Sequence, residues 1–93
     1  MSKLSVLVGK AKIYTIGELQ LELKPRTMSD IDLIMDISND AKKGEAMKEL
    51  VKRTLKEAVP DATDEEIYAI GFKYFREISD AIIDVNGLKA DVQ

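Results

Sequence analysis

The first quarter of the chain shows the alternation of apolar and polar residues that is typical of β-strands. In LQLEL, residues 19–23, every second position is a leucine, which indicates a strand with one solvated face. Residues 12–16 form a second candidate strand, and Gly17 begins a two-residue turn between the two runs. A third short apolar run occupies residues 6–8. We therefore predict an antiparallel β-hairpin or a small three-stranded sheet within residues 1–24.

Two segments with apolar residues at helical spacing follow the predicted strands. The first helix is expected to begin at Thr27 or Ser29 and to reach Ile37. The second is expected over residues 45–59, where a single apolar stripe is flanked by charged side chains. Gly44 is interpreted as a break before this second helix.

The last predicted helix, residues 63–88, has recognisable signals at both ends. Thr63 can accept a hydrogen bond from a free backbone N–H, and Glu66 can reach back to Thr63, which makes a capping box. At the other end Gly87 tolerates positive φ, and Leu88 can pack over the last turn as in a Schellman motif. This is the longest helix that the sequence predicts, and we expect it to be central in the fold.

This last helix is apolar on two faces. The first stripe comprises Ile67, Ile70, Tyr74, Ile78, Ala81, Ile82 and Val85. The second stripe, rotated by roughly a quarter to a third of a turn, comprises Tyr68, Phe72, Phe75 and Ile83. Leu33 and Ile37 likewise lie on a second apolar face of the first helix. Two interpretations stay open: the helix is covered on two sides by its own chain, or this second set contacts another subunit or a partner helix. Gly71, in the middle of the helix, is interpreted as a point of close approach by another element.

Composition is that of a globular protein with few chemically reactive side chains. The chain has 93 residues, 45% hydrophobic and 33% charged, which fits one domain that buries roughly 60–65% of its unfolded surface. The net charge of −3, with basic and acidic residues interspersed, argues against nucleic acid as a main partner. No segment approaches the ~20 apolar residues needed to span a bilayer, so we expect a cytoplasmic protein with no membrane association.

Acidic side chains are the candidate chemical groups that the sequence offers. The chain contains no cysteine and no histidine, which removes thiolate chemistry and the commonest general base and metal ligand. Asp61, Asp64, Glu65 and Glu66 cluster at a helix start, but they lack the ligand spacing of an EF-hand loop, and helix capping explains them. No glycine-rich phosphate-binding loop occurs. We therefore expect no enzyme activity, no cofactor and no metal site.

The order of elements and three sequence segments resemble a known family. The segments are AKIYTIGELQLELKPRTMSDIDLI, which runs from a Gly-containing hairpin into an LKP.T..D turn, then VPDATDEEIYAI, and EISDAIIDVNGL, which ends in an I..VNG-like pattern. In these features, which cover most of the chain, the sequence resembles the small tail assembly chaperones of long-tailed bacteriophages and of related archaeal viruses or proviruses. That family has no invariant catalytic signature and no sharply defined site motif.

The resemblance implies a non-enzymatic role in virion assembly. Such chaperones associate with the long, helical tape measure protein, keep it soluble and help the tail tube protein to polymerise around it. They tend to oligomerise, and many also occur in a longer form made by ribosomal frameshifting. On this basis we expect the tape measure protein as partner, possibly the tail tube protein, and a homo-oligomer. The residues expected to mediate these contacts are Tyr68, Phe72, Phe75, Ile83, Leu33 and Ile37.

The sequence therefore predicts one α+β domain over residues 1–93, with a β part at 1–24, three helices within 27–88, and a frayed tail at 89–93. The predicted function is that of a tail assembly chaperone. One alternative is a structural or adaptor subunit of a virion or another oligomeric assembly, which uses the same apolar faces for permanent packing. A second alternative is a small regulatory binding protein, against which the acidic composition speaks.

Overall fold

Strands precede helices along the chain, in the α+β order that the sequence predicts. The computed structural model describes residues 3–88, and the tail at 89–93, predicted to be frayed, lies outside the described residues. The elements are strands β1 (Lys12–Ile16) and β2 (Leu19–Leu23) and helices α1 (Ile31–Asp36), α2 (Lys43–Ala58), α3 (Asp64–Tyr68) and α4 (Phe72–Val85). The antiparallel hairpin is confirmed, and the described part of the chain forms four α-helices where three were expected.

A two-residue turn sets the register of the hairpin. Ile16 pairs with Leu19 across this turn. Gly17 has a φ of 61°, as the first central position of a type II′ turn requires. Glycine adopts this positive φ without steric cost because it has no Cβ. The apolar run at residues 6–8 adds no strand to the sheet, because Lys3–Leu7 forms a 3-10 helix. Of the two predicted alternatives, the structure adopts the hairpin.

One face of the hairpin packs on the helices over part of its length. Leu23 is fully buried and Ile16 is nearly so, because β2 contacts α2 and β1 contacts α4. Leu19 points to the same face beside the turn but remains 64% exposed. The inner face of the sheet is therefore closed at the end of β2 and open where β2 begins.

Helix α2 is the longest helix and packs against most of the other elements. It has 16 residues, against 14 in α4, and it contacts α1, α3, α4 and β2. The expectation that the last helix is the longest is thus wrong, because the predicted last helix divides into two. Gly44 does not precede α2 but lies in its first turn, where backbone N–H groups have no helical partner in any case. None of the helices between residues 3 and 88 has the length and apolar character that crossing a bilayer requires.

The helix predicted over residues 63–88 is interrupted at residues 69–71. Gly71 has φ −63° and ψ 151°, an extended conformation that ends the helical path before α4 begins at Phe72. The structure leaves open space where a Cβ of Gly71 would lie, so the interpretation of Gly71 as a point of close approach is wrong. Glycine is instead a weak helix former, about 1 kcal/mol less favourable than alanine, which lets tertiary packing redirect the chain here.

The signals at the outer ends of α3 and α4 are confirmed. The Thr63 hydroxyl accepts from the Glu66 backbone N–H at 3.1 Å, and the Thr63 backbone N–H donates to the Glu66 carboxylate at 2.9 Å, which completes the capping box. At the end of α4, Leu88 N–H donates to the Ile83 carbonyl at 3.0 Å and Gly87 has a φ of 71°. This is the Schellman geometry, in which glycine adopts the left-handed conformation.

The loop between the hairpin and α1 is held to α2 and α4 by polar contacts. The Arg26 backbone N–H donates to the Asn86 side-chain oxygen at 2.6 Å. The guanidinium of Arg26, which is almost completely buried, lies 2.6 Å from Glu57 and 3.5 Å from Asp30. Asp30 also pairs with Arg53 at 2.5 Å. These contacts fix the position of β2 relative to α2 and α4.

Candidate protein-binding surface

The interruption between α3 and α4 brings three predicted contact residues together at the surface. Tyr68 ends α3 and is 52% exposed, and Phe72 begins α4 and is 73% exposed. The ring of Phe72 stacks on that of Phe75, with centroids 6.0 Å apart and an interplanar angle of 22°. Offset ring pairs of this kind are a favourable arrangement of aromatic side chains. The result is an aromatic cluster that solvent can reach.

These rings border a cavity of about 370 Å³ between α2 and the start of α4, which we call the aromatic pocket. Its lining residues are Lys48, Val51, Ile67, Tyr68, Ile70, Phe72 and Phe75. Two lysines stand beside the Tyr68 ring, with the Lys48 ammonium 5.6 Å and the Lys52 ammonium 6.0 Å from its centroid. Both distances fall within cation–π range, which orders the ring and places positive charge at the rim.

The other three predicted contact residues do not join the aromatic pocket. Leu33, within α1, and Ile37, directly after its last residue, are partly buried and pack against the core. Ile83, on the same stripe as Phe72 but about three helical turns further along α4, also packs against the core. Phe75, although it borders the aromatic pocket, is partly buried and packs against the core as well. The predicted set thus divides into an exposed pair, Tyr68 and Phe72, and residues that mainly complete the domain.

A second cavity, of about 450 Å³, lies between the hairpin turn, the end of α2 and the start of α4; we call it the hairpin groove. Leu19 and Leu21 form one wall, and Tyr74 and Ile78 of α4 form another. Gly17 closes one end, where an added Cβ would lie 2.9 Å from the Tyr74 ring. Sequence reasoning missed this groove, because the alternation of leucines shows which face of the strand is apolar but not how far the helices cover it.

The two cavities meet at the α3–α4 junction, where they share two lining residues. Ile67 and Ile70 line both of them, and Ile67 is buried between the two. The rims differ in charge. The hairpin groove is lined by two acids, Glu18 and Glu66, and by no basic residue, whereas the charged residue of the aromatic pocket is Lys48.

A polar cluster joins β1 to α4 away from both cavities. The Tyr14 hydroxyl donates to the Asp84 carboxylate at 2.5 Å, and the Lys12 ammonium donates to the same oxygen at 3.0 Å. Burial of the phenol, and then the hydrogen bond to Asp84, raise the pKa of Tyr14 to about 12. The hydrogen bond from Tyr14, followed by that from Lys12, lowers the pKa of the Asp84 carboxyl. The cluster fastens the hairpin to the last helix.

Charged side chains of α2 form ion pairs within the helix and with α3. Lys56 lies 2.7 Å from Asp64, and Arg53 lies 2.7 Å from Glu49, as the spacing of four residues favours. No group of three or more acidic residues between positions 3 and 88 is arranged to hold a metal ion.

Comparison with protein-family models, with curated proteins and with solved structures found no match for this chain. The residues that carry the resemblance to tail assembly chaperones have structural roles here. In the LKP.T..D turn, Leu23 is fully buried and Asp30 bridges Arg26 and Arg53. In the VNG segment, Asn86 holds the turn through its bond to Arg26. These patterns describe how the hairpin, the loop and the last helix are joined.

Proposed function

We propose that the chain is a non-enzymatic assembly chaperone of the phage tail type, which binds an apolar helical segment of a tape measure protein in the aromatic pocket. The observation that carries this proposal is the exposure of Phe72 and Tyr68 beside a cavity that is already formed. Aromatic side chains contribute strongly to interfaces, because they bury a large area with few rotatable bonds. The resemblance in element order supports the choice of partner.

The shape and charge of the aromatic pocket suit an amphipathic helix. Such a helix presents apolar side chains at spacings of three and four residues, and it would place one in the pocket and others along Phe72 and Phe75. Lys48 at the rim favours a partner helix that carries an acidic residue next to its apolar face. Covering the apolar face of the partner removes it from water, which is how a chaperone keeps such a helix soluble.

Co-expression with a tape measure protein from the same genome tests the proposal. The wild-type chain is expected to increase the soluble fraction of that protein and to elute with it in size-exclusion chromatography. The double variant Tyr68→Ala/Phe72→Ala is expected to bind at least tenfold more weakly, because it removes both exposed rings. Ile13→Ala is the matched control, since Ile13 is 64% exposed on the outward face of the hairpin.

Two results would contradict the proposal. If the wild-type chain gave neither a soluble partner nor a complex, the chaperone function would be wrong. If the chain were found in finished particles, it would be a structural or adaptor subunit, because a chaperone leaves before assembly is complete.

A further inference from the structure

A short apolar segment before the hairpin stands exposed in this structure. Val6, Leu7 and Val8 are each between 68% and 81% exposed, although they follow one another in the chain. Isolated exposed apolar residues are common at protein surfaces, but a contiguous run usually marks a contact with another molecule. We call residues 4–8 the apolar arm.

The hairpin groove has the size and character to receive such side chains. Its volume of about 450 Å³ falls within the range of pockets that enclose small ligands, and aliphatic residues form most of its lining. Leu19 on its wall is 64% exposed, so the apolar surface there is unfilled by the chain's own core. Burial of aliphatic arm residues in this groove would remove apolar surface from water on both sides.

Charge on the arm complements charge at the groove. Lys3 and Lys10 flank the arm, and among residues 3–88 no ion pair joins either lysine to an acid. The groove is lined by Glu18 and Glu66 and by no basic side chain. A segment with a lysine on each side of an apolar run therefore matches an apolar groove with acidic residues at its edge.

The positions of arm and groove in one chain point to a second copy as the source of the arm. The arm leaves the hairpin at the end opposite the turn, where Gly9 touches Pro25 so closely that an added Cβ would lie 2.4 Å from the proline ring. The groove is at the turn end, one strand of five residues away, or about 17 Å at the usual rise per residue. We propose that the hairpin groove of one copy of the chain binds the apolar arm of a second copy.

Cysteine cross-linking tests this contact directly, because the chain contains no cysteine of its own. Two single variants, Val6→Cys and Leu19→Cys, are mixed and oxidised, and the mixed disulfide is quantified. The control pair is Val6→Cys with Ile13→Cys, because Ile13 is as exposed as Leu19 but lies on the outward face of the hairpin. We expect several times more mixed disulfide from Val6→Cys with Leu19→Cys than from the control pair. Equal yields from the two pairs would overturn the proposal.

A second measurement distinguishes an arm bound in the groove of another copy from an arm bound in the groove of its own chain. The double variant Val6→Cys/Leu19→Cys is oxidised at low and at high concentration. Cross-linking between chains that rises with concentration supports the proposal, and an internal disulfide that forms equally at all concentrations overturns it.

Sedimentation equilibrium gives an independent readout of association. We expect Leu7→Asp to weaken self-association at least tenfold, whereas Ile13→Asp leaves it unchanged. A wild-type chain that stays monomeric at several hundred micromolar would overturn the proposal. Leu7→Asp is expected to retain binding of the tape measure protein in the aromatic pocket, so that failure of the arm contact and failure of the proposed function are distinguishable.

Discussion

At the scale of single residues, two glycines with positive φ differ in what surrounds them. Gly17 has a φ of 61° and faces the Tyr74 ring, whereas Gly87 has a φ of 71° and open space where a Cβ would lie. A residue with a Cβ pays roughly 1–2 kcal/mol for the left-handed conformation. At Gly17 the contact with Tyr74 adds to this backbone strain.

We therefore predict that Gly17→Ala destabilises the domain more than Gly87→Ala does. Gly87→Ala is expected to lower the free energy of unfolding by about 1 kcal/mol, and Gly17→Ala by about 2 kcal/mol or more, because the Tyr74 ring must also shift. Urea unfolding followed by circular dichroism measures both. Gly44→Ala is the control, since Gly44 lies in α2 with open space around it, and it is expected to be neutral or stabilising. Equal effects of the two substitutions would show that the contact with Tyr74 does not resist the added methyl group.

At the scale of elements, the contact between β1 and α4 depends on an ionised carboxylate. Asp84 accepts from Tyr14 and Lys12, and its pKa is lowered by these two donors. A carboxyl group whose pKa is lower in the folded chain stabilises the fold at pH values above its unfolded pKa of about 3.9. That contribution is lost as the pH falls through the lowered folded pKa.

We predict that the free energy of unfolding of the wild-type chain falls below about pH 4 more steeply than that of Asp84→Asn, which cannot ionise at this position. Urea titrations from pH 7 to pH 2 give the comparison, and carbon NMR of the carboxyl group reports the Asp84 pKa directly. Tyr14→Phe is expected to raise that pKa towards its ordinary value. As a control, Glu22→Gln on the outward face of the hairpin removes an acid that takes no part in this contact. Identical pH profiles for the wild type and Asp84→Asn would contradict the prediction.

The interruption at residues 69–71 is the other decisive feature at this scale. Without it, Tyr68 would continue the same helical face as Phe72 and Phe75, and the second stripe would remain a simple strip along one helix. With it, Tyr68 and Phe72 border a pocket that Val51 of α2 helps to line. The candidate surface thus arises from a break that the apolar periodicity of the sequence did not reveal, because the three- and four-residue spacing continues through Gly71.

At the scale of the whole molecule, burial separates residues that look alike in the sequence. Leu19 and Leu23 lie on the same strand and the same face, yet Leu23 is fully buried against the helices and Leu19 is mostly exposed. The difference comes from where the helices end, since α2 covers the end of β2 but leaves its start beside the hairpin groove.

We predict that Leu23→Ala lowers the free energy of unfolding by about 2–5 kcal/mol, because it removes buried methyl groups and leaves a cavity. Leu19→Ala is expected to change it by less than about 0.5 kcal/mol, as is usual for an exposed position. Chemical unfolding at low protein concentration, where self-association is minimal, measures both variants. A large loss of stability for Leu19→Ala under these conditions would mean that the hairpin groove is closed in the monomer.

Several local features could be predicted from the sequence because their causes are local. The Gly17 turn, the Thr63 capping box, the stop at Gly87 and the ion pair of Glu49 with Arg53 each depend on residues within five positions of one another. The identity of Tyr68, Phe72 and Phe75 as members of a second apolar stripe also followed from spacing. The exposure of Tyr68 and Phe72 could not be predicted in this way, because spacing alone does not show which of two apolar stripes another element covers.

The order of strands and helices, the hairpin turn, the cap at Thr63 and the stop at Gly87 follow from the sequence alone, since they depend on side-chain periodicity and on hydrogen bonds between near neighbours. Tertiary packing divides the last helix at Gly71, makes α2 the longest helix among residues 3–88, and leaves an open groove beside the hairpin turn. These features depend on how elements distant in the chain pack against one another. The helix propensity of a single glycine differs from that of alanine by about 1 kcal/mol, which is small compared with the packing interactions that set the path of the chain.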